Sequence, residues 1–381
     1  MSESAPETLV VSTIGVHWRL ILDVPSADRA RIARNWSRAV VAPERAIAAP
    51  GGLEDFVVSP AFTGGLGGMT VDTLGEGLDY AFSRSLTMAS IKRRAGGALM
   101  FHAAGLTAPD GQAIVLVAGS GTGKSTASRI LGRSLGYLSD ETVAVEDDGR
   151  IAAYAKPLSL IPPDADPLAK LETGPDDLGL LPAHPDPRLG AVVMLERDAA
   201  CPEPVLEPVA LIDALAGITP QTSSLLLLDR PLQRLAEAVC RGGGPWRLRY
   251  PEISQCVALI TGLVDDLTHG RGPDPIQWRA ARGGPEVRER HPNQVDARYQ
   301  RGPCLDAVES EGSVLIASSA AIMRLDGLGA ALWLACAAPR TQADLVAVAE
   351  RELGAHPEAP ALVRGAVSAL LEAEVLQIST T

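Results

Sequence analysis

The stretch that most constrains the fold is AGSGTGKS at residues 118–125. It has the spacing of a phosphate-binding loop, G-x-x-x-x-G-K-[ST], with alanine in the first position. The glycines let backbone N–H groups converge on phosphate oxygens, Lys124 can reach the β- and γ-phosphates, and the Ser125 hydroxyl suits Mg²⁺. An apolar strand at 114–117 enters the loop, and a helix at 126–135 leaves it. The sequence therefore predicts an α/β fold with a nucleotide site. The predicted nucleotide contacts are Gly119, Ser120, Gly121, Thr122, Gly123, Lys124, Ser125 and Thr126.

Length and charge narrow the class of partner. The chain has 381 residues, which favours two or three domains, each with a core of its own. The formal net charge of −12 works against binding to nucleic acid or to an anionic membrane, because both attract basic surfaces. Peptides and small molecules are the partners that this composition favours.

Cysteine spacing and the N-terminal sequence indicate the compartment. The five cysteines are far apart and form no C-x-x-C pair, so we expect reduced thiols in the core. The first residues lack a basic segment followed by an apolar one, and no apolar run approaches the roughly 18 residues of a membrane span. These features predict a cytoplasmic protein.

Four regions are expected along the chain. They are an N-terminal accessory α/β layer at 1–95, the P-loop domain at 96–266, a Pro/Gly/Arg-rich linker at 267–295 and a small domain at 296–381. The linker has the composition of a solvated tether, and a second interpretation is that its arginines help to hold an acidic peptide. In the P-loop domain, a turn sequence at 108–111 joins the apolar runs 99–106 and 113–117 into a hairpin.

The small domain combines short strands with three helices. Strands are predicted at 303–309, 313–317 and 321–325, and helices at 328–336, 341–353 and 360–373. Thr341 and Asp344 have the spacing of a capping box at the start of the second helix. This order predicts a winged-helix unit. Acidic side chains outnumber basic ones over 321–373, which argues against a DNA-binding role.

Two further side chains are expected beside the P-loop. A short strand at 137–139 delivers Asp140 soon after Ser125. Mg·ATP needs a carboxylate near the loop hydroxyl, and an acceptor hydroxyl needs a base, so Asp140 can serve either purpose. If facing positions in the hairpin sum to roughly 220, His102 lies at the mouth of the loop. It is either a satisfied core histidine or an active-site group.

Two segments, FHAAGLTAPDGQAIVLVAGSGTGKST and LGYLSDETV, together resemble the HPr kinase/phosphorylase family. The resemblance covers about 99–160 and includes a histidine strand, the hairpin, the P-loop and an acidic segment. It implies an oligomeric kinase that transfers the γ-phosphoryl group of ATP to a serine hydroxyl. By this resemblance Asp140 would be the general base, Lys124 the phosphate clamp and His102 an auxiliary catalytic group, with Ser125 and Asp140 as magnesium ligands.

The chain also departs from that family. Glu141 stands where the family has a second aspartate, and no downstream Glu-x-Arg-Gly signature is found, since 172–174 match it too poorly to be named as a site. These departures argue against HPr itself as the substrate and against reverse phosphorolysis. The match is closer to HPr-kinase-related proteins, some of which modify ribosomally made peptides.

The segment VLIASSAAIMRLDGLGAALWLACAAPRTQADLVAVAE resembles the PqqD-like domain, whose pattern is a strand, a Leu-Asn-x-x-Gly-x-x-x-Trp helix and an Arg-Thr turn. The resemblance covers about 296–378 and implies a domain that takes the leader of a precursor peptide as an added strand. Trp333 is expected mainly in the core. The peptide contacts implied are Ile322, Met323, Arg324 and Leu325 on the edge strand, with Val363 and Val367 on the final helix.

Three functional hypotheses follow. The first is an ATP- and Mg²⁺-dependent kinase that phosphorylates a Ser or Thr hydroxyl of a leader-bearing precursor peptide. The second is a non-catalytic nucleotide-binding scaffold that presents such a peptide to other enzymes, motivated by the missing signature. The third is a kinase for a small hydroxylated metabolite, which would work without the residues beyond 295. None of the three involves nucleic acid or a membrane.

Overall fold

The structure is a computed structural model that describes residues 9–119, 122–161, 170–272, 274–285 and 297–379. Ten α-helices lie within these ranges. They are α1 (Ser26–Asn35), α2 (Pro43–Ala48), α3 (Glu76–Arg94), α4 (Lys124–Leu131), α5 (Leu211–Ile218), α6 (Pro231–Val239), α7 (Val257–Thr268), α8 (Gly327–Ala335), α9 (Gln342–Leu353) and α10 (Ala359–Glu372). None of these helices is both long and apolar enough to cross a membrane.

The same ranges contain 24 β-strands, many of them short. The first twelve are β1 (Leu9–Thr13), β2 (Val16–Leu22), β3 (Leu53–Ser59), β4 (Gly68–Thr70), β5 (Leu99–Phe101), β6 (Ala103–Thr107), β7 (Gln112–Val117), β8 (Gly136–Ser139), β9 (Val143–Val145), β10 (Ile151–Ala152), β11 (Leu158–Leu160) and β12 (Leu171–Thr173). The others are β13 (Leu181–Pro182), β14 (Arg188–Arg197), β15 (Val205–Pro208), β16 (Thr222–Ser223), β17 (Trp246–Tyr250), β18 (Arg279–Ala281), β19 (Arg298–Arg301), β20 (Asp306–Ser310), β21 (Ser313–Ala317), β22 (Ile322–Leu325), β23 (Arg340–Thr341) and β24 (Leu376–Ile378).

The chain divides into two compact units. Unit 1 comprises Met1–Val209, Gln221–Leu225 and Cys240–Asp274, and unit 2 comprises Ala210–Pro220, Leu226–Val239 and Pro275–Thr381. Helices α5 and α6 thus belong to unit 2, although both lie within the predicted bounds of the P-loop domain, 96–266. The physical reason is that both helices pack against β20 and β21 of the C-terminal sheet.

Unit 1 is built on a mixed seven-stranded sheet with the order β13-β8-β6-β7-β14-β17-β15. Strand β6 runs antiparallel to β7 and also to β8, so β7 and β8 point in the same direction. Their carboxyl ends therefore meet at one edge of the sheet, which is where open α/β sheets bind ligands. The predicted hairpin register is confirmed, since Ala103 pairs with Val117 and the two numbers sum to 220.

The helix after the P-loop is shorter than predicted. The sequence indicated a helix over 126–135, whereas α4 spans Lys124–Leu131. Turns follow, with the Ser134 and Leu135 amides donating to the Leu131 carbonyl, and they lead the chain into β8. A Cβ on Gly132 would lie 2.4 Å from the Ser128 carbonyl, so this turn requires glycine.

The N-terminal part of unit 1 packs as a layer around aromatic side chains. Strands β1 to β4 form one sheet, and α3 contributes Phe82 to a core that also holds Trp36 and Phe56. The Phe82 ring lies edge-on to Trp36 at 5.3 Å and to Phe56 at 6.0 Å between centroids. Met100 of β5 and Ala144 of β9 share this core, so the layer is continuous with the elements around the P-loop.

Unit 2 contains two antiparallel sheets and three C-terminal helices. Their orders are β18-β20-β21-β22 and β23-β19-β24. The three predicted C-terminal helices are confirmed as α8, α9 and α10, and so is the capping box, with the Asp344 amide donating to Thr341 Oγ1 at 3.2 Å. The predicted linker is not a tether throughout. Arg279–Ala281 forms β18, because it pairs with Ala307–Glu309 and buries Ala281.

A buried carboxylate ties α6 to the C-terminal sheet. Asp306 on β20 accepts hydrogen bonds from the backbone amides of Leu232 at 3.3 Å and Gln233 at 2.9 Å. These amides lie in the first turn of α6, which has no earlier helical carbonyls to receive them. Burial raises the pKa of Asp306, and the two amide donors act against that rise. Asp306 thus holds the helix end through charge-assisted hydrogen bonds.

We expect Asp306→Ala to lower the free energy of unfolding by about 2 kcal/mol, because two buried amides lose their acceptor. Asp306→Asn keeps one acceptor oxygen and should lose less. Urea unfolding followed by circular dichroism measures both variants. A change below about 0.5 kcal/mol for Asp306→Ala, the size typical of an unimportant surface position, would contradict this role.

Candidate active site

The P-loop joins β7 to α4. Gly123, directly before the helix, has φ +98°, a left-handed conformation that favours glycine. Thr122 Oγ1 donates to the Gly119 carbonyl at 2.6 Å. Lys124 Nζ donates to the carbonyls of Ala118 at 2.7 Å and Gly119 at 3.0 Å. Lys124 is thus held over its own loop, and phosphate binding would require it to exchange these carbonyls for phosphate oxygens.

The other predicted nucleotide contacts are distributed around this loop. Ser120 and Gly121 lie outside the described residues. Ser125 is half-buried and Thr126 is exposed on the first turn of α4. Burial lowers the pKa of Lys124, while Asp140 and Glu141 act in the opposite direction. The lysine therefore interacts electrostatically with both acids that follow β8.

Asp140 lies directly against the P-loop serine. Ser125 Oγ donates to Asp140 Oδ2 at 2.8 Å. The contact arises because β7 and β8 end at the same edge of the sheet, so the loop after one strand meets the acid after the other. A hydroxyl and a carboxylate oxygen this close are hard oxygen donors of the kind that Mg²⁺ prefers. The residue pair predicted to hold the metal is thus brought together.

The opposite side of Asp140 faces a buried lysine that the sequence analysis did not identify. Lys156 Nζ lies 3.2 Å from Asp140 Oδ1, 3.4 Å from Glu141 Oε2 and 4.0 Å from Glu172 Oε2. Its side chain is 1% exposed. Burial lowers the pKa of Lys156, but the three acids outweigh burial and the net shift is upward. Lys156 is therefore a charged ammonium beneath the site.

Glu172 completes this buried cluster from β12. It accepts hydrogen bonds from Ser83 Oγ of α3 at 2.8 Å and from Ser159 Oγ of β11. Burial raises the pKa of Glu172, with Lys156 and the two serines acting against the rise. Three carboxyl groups therefore share a single buried lysine here.

One signal in the sequence could have pointed to this cluster. Lys156 is the only charged residue between Ile151 and Ile161, in a segment otherwise rich in apolar residues. A lysine in a buried segment needs a counter-charge. The sequence nevertheless names no partner, because the acids that surround Lys156 come from β8 and β12.

His102 lies between β5 and β6, at the P-loop end of the hairpin. Its backbone amide donates to the Gln221 carbonyl at 2.7 Å. Burial lowers the pKa of His102, and the positive charge of Lys124 lowers it further, while Glu141 acts in the opposite direction. The ring is therefore neutral near pH 7 and lies among the charged groups of the site, although its catalytic role stays a prediction.

The predicted peptide edge strand lies at the end of its sheet. In the described part of unit 2, β22 pairs only with β21, which leaves its other side open. Ile322 and Met323 are half-buried, and Leu325 is buried. Arg324 is exposed and forms ion pairs with Asp213 at 2.5 Å and Asp326 at 2.8 Å.

The two peptide contacts predicted on the final helix are not accessible to a peptide in the structure. Val363 and Val367 of α10 are buried within the core of unit 2, because this face of the helix packs on the same cluster as Trp333. Trp333 is a core residue, and its Nε1 donates to the Val375 carbonyl at 3.1 Å. The Arg301 guanidinium stacks over its ring at 4.0 Å.

The chain has only a weak structural similarity to the known protein described below. No protein-family model matches the chain, and no curated protein matches it. Among solved structures, the HPr(Ser) kinase/phosphatase from Coxiella burnetii is similar with 12% identity and a TM-score of 0.26. The match covers 45% of this chain and 97% of that chain. At this TM-score the similarity carries no argument about function.

We expect Lys156→Met to lower the free energy of unfolding by about 3–5 kcal/mol, because it leaves buried carboxylates without their counter-charge. Lys92→Met removes the same group from an exposed position on α3, where a change within about 0.5 kcal/mol is expected. Urea unfolding followed by tryptophan fluorescence compares the two. Similar small effects would show that Lys156 is not needed to balance the cluster.

Proposed function

We propose that this chain is an ATP- and Mg²⁺-dependent kinase that phosphorylates a Ser or Thr hydroxyl on a peptide. The observation that carries the proposal is the hydrogen bond between Ser125 of the P-loop and Asp140, with Lys124 beside them. A P-loop serine next to a buried carboxylate is the arrangement that P-loop enzymes use for a magnesium nucleotide. The sequence resemblance to the HPr kinase/phosphorylase family supports phosphoryl transfer as the reaction.

The oxygen atoms of Ser125 and Asp140 are suited to hold Mg²⁺ that is bound together with a nucleotide. Among the described residues, no group of three His, Cys, Asp or Glu side chains converges to form a metal site by itself. Mg²⁺ is commonly held by one or two protein oxygens together with substrate phosphates and water. Ser125 and Asp140 would supply the protein oxygens, and the bound ion would neutralise charge on the phosphates.

The chain's own groups would act mainly by position and charge. Lys124 would leave the Ala118 and Gly119 carbonyls for the β- and γ-phosphate oxygens. The N-terminus of α4 adds backbone N–H groups directed at the same phosphates. Phosphoryl transfer depends on such alignment and charge neutralisation more than on covalent chemistry by the protein.

Strand addition on β22 is the proposed means of peptide recruitment. An open edge offers backbone N–H and C=O groups to an extended peptide, and half-buried side chains beside it provide pockets. Ile322 and Met323 are the half-buried residues on this edge. Both units belong to one chain, so a leader bound to unit 2 would keep the acceptor segment of the same peptide near unit 1. For a flexible tether, the effective concentration of that segment would be about 10⁻³ M.

Unit 2 is formed by segments from two parts of the chain, and this limits how peptide recruitment can be tested. Removing everything beyond residue 295 would take β20 and β21 away from α5 and α6, which pack against them. Such a truncated chain would expose apolar helix faces and could lose activity through misfolding. Point variants in the full chain avoid this ambiguity.

Phosphoryl transfer is the first expectation to check. The full chain, incubated with Mg·ATP and a precursor peptide encoded beside its gene, should add one phosphoryl group to the peptide, as measured by intact mass. Lys124→Ala should reduce the rate by about 10²–10³-fold, because a charge that stabilises the transition state is lost. Lys92→Ala is the matched control at an exposed site and should leave the rate unchanged.

The outcome also separates the alternative hypotheses. Tight peptide binding with no mass change in the wild type would contradict a kinase and favour the scaffold. Transfer to a small hydroxylated compound in preference to any peptide would favour the metabolite kinase.

Ile322→Lys tests the edge strand. We expect it to weaken binding of a fluorescently labelled leader peptide by about tenfold or more, because a lysine on an edge opposes strand pairing and removes an apolar contact. Fluorescence anisotropy provides the measurement, and nucleotide affinity should stay constant. Leu362→Lys places the same charge on the exposed face of α10 and is the control. Equal weakening by both substitutions would argue against strand addition at β22.

A further inference from the structure

The two consecutive carboxylates after β8 have different surroundings. The Asp140 side chain is only 2% exposed, and both of its oxygens are engaged. Its Oδ2 accepts from Ser125 Oγ at 2.8 Å, while Oδ1 accepts from the Tyr137 hydroxyl at 3.3 Å and from Lys156 Nζ at 3.2 Å. Because 2% of the Asp140 side chain is exposed, a hydroxyl from another molecule has little access to it.

Glu141 is held from one side and open on the other. Its Oε2 lies 3.4 Å from Lys156 Nζ, yet its side chain is 34% exposed. It interacts electrostatically with Lys124 and with His102. Glu141 therefore belongs to the same site as the P-loop but faces outward from it.

Accessibility separates the two tasks that a kinase asks of its acids. A carboxylate that helps to hold Mg²⁺ must lie against the P-loop hydroxyl, as Asp140 does. A general base must come within hydrogen-bonding distance of the acceptor hydroxyl. Glu141 is the acid of the pair that an incoming peptide can reach.

We propose that Asp140 and Glu141 divide these tasks. Asp140 would supply an oxygen to Mg²⁺, and Glu141 would be the catalytic base. This inference rests on the proposed function and changes its details, because the family resemblance assigns the base to Asp140. In the transfer step, the acceptor oxygen bonds to the γ-phosphorus as the bond from that phosphorus to the ADP oxygen breaks. The hydroxyl proton passes to the Glu141 carboxylate, and ADP leaves.

Lys156 is the positioning residue in this arrangement. One ammonium contacts Asp140 and Glu141 from beneath, and it also donates to the Pro157 carbonyl at 2.7 Å, which fixes its own place. With its inner oxygen occupied by Lys156, Asp140 presents only Oδ2 to the P-loop. The same contact keeps Glu141 beside the loop while leaving part of its side chain accessible.

Two isosteric variants of the full chain test the division. Each is measured for phosphoryl transfer, to peptide and to water, and for Mg²⁺-dependent binding of a fluorescent non-hydrolysable ATP analogue. Glu141→Gln should lower the transfer rate by about 10²–10⁴-fold and leave analogue binding unchanged. Asp140→Asn should weaken Mg²⁺-dependent binding by about tenfold or more. Asp148→Asn, an exposed acid on the β9–β10 turn, should change neither property.

The outcomes distinguish this inference from the proposed function. If Glu141→Gln transfers phosphoryl at the wild-type rate, Glu141 is not the base and the division is overturned, while the kinase proposal stands. If Asp140→Asn binds the magnesium analogue normally and loses only transfer, the roles are reversed. A wild-type chain that binds the analogue but transfers phosphoryl to neither acceptor removes the proposed function and the role of Glu141 with it.

A separate pair of variants tests the positioning role of Lys156. Lys156→Met should reduce both the transfer rate and Mg²⁺-dependent binding per folded molecule, because the two acids lose their common contact. Lys156→Arg keeps the charge and should restore most of both. A lysine needed only for stability would change the unfolding midpoint while folded molecules retained wild-type rate and binding, and that result would overturn the positioning role.

Discussion

The buried ammonium of Lys156 is the interaction on which the site depends. It lies among three carboxyl groups that come from the end of β8 and from β12, and one of these, Glu172, is held in turn by Ser83 of α3. Unpaired buried charges are costly, so each member of the cluster constrains the others. The N-terminal layer, to which the sequence assigned no chemistry, therefore supports the acids of the candidate site through α3.

The direction of two strands explains why the P-loop and its acid meet. Because β6 is antiparallel to both neighbours, β7 and β8 end at one edge, and the segments after them face each other there. This topology places Ser125 beside Asp140, with 2.8 Å between Oγ and Oδ2. Lys156 contacts the other aspartate oxygen, so a single oxygen is directed at the loop. The two adjacent acids differ in access to solvent, with 2% of the Asp140 side chain and 34% of the Glu141 side chain exposed.

Unit 2 combines a sheet with helices from two distant parts of the chain. Helices α8 to α10 share a core with the sheet that contains β20, β21 and β22, and α5 and α6 pack against β20 and β21 as well. Asp306 fastens α6 to this sheet by its amide hydrogen bonds. The β22 edge of that sheet is the proposed peptide site, and Val363 and Val367 are not part of it because they are buried in the core.

Local patterns allowed much of the fold to be predicted. The strand and helix on either side of the P-loop pattern, the hairpin register that places His102, the short strand before Asp140, the three C-terminal helices and the capping box at Thr341 are each encoded in one contiguous stretch of sequence. Signals of this kind are contained in turn chemistry, helix caps and hydrophobic periodicity. Predictions failed where periodicity shows an apolar face but not its partner, as for Val363, Val367 and the assignment of α5 and α6.

The sequence by itself determined that a glycine-rich loop with the P-loop pattern lies between a strand and a helix, with an acid soon after, because that pattern is contained in contiguous residues. Only the tertiary structure decided which acid is buried, which is accessible, and that Lys156 contacts both. Those properties depend on contacts between segments that meet only when the sheet forms. Lys156 is 16 residues from Asp140 in the chain, and no local rule brings the two together.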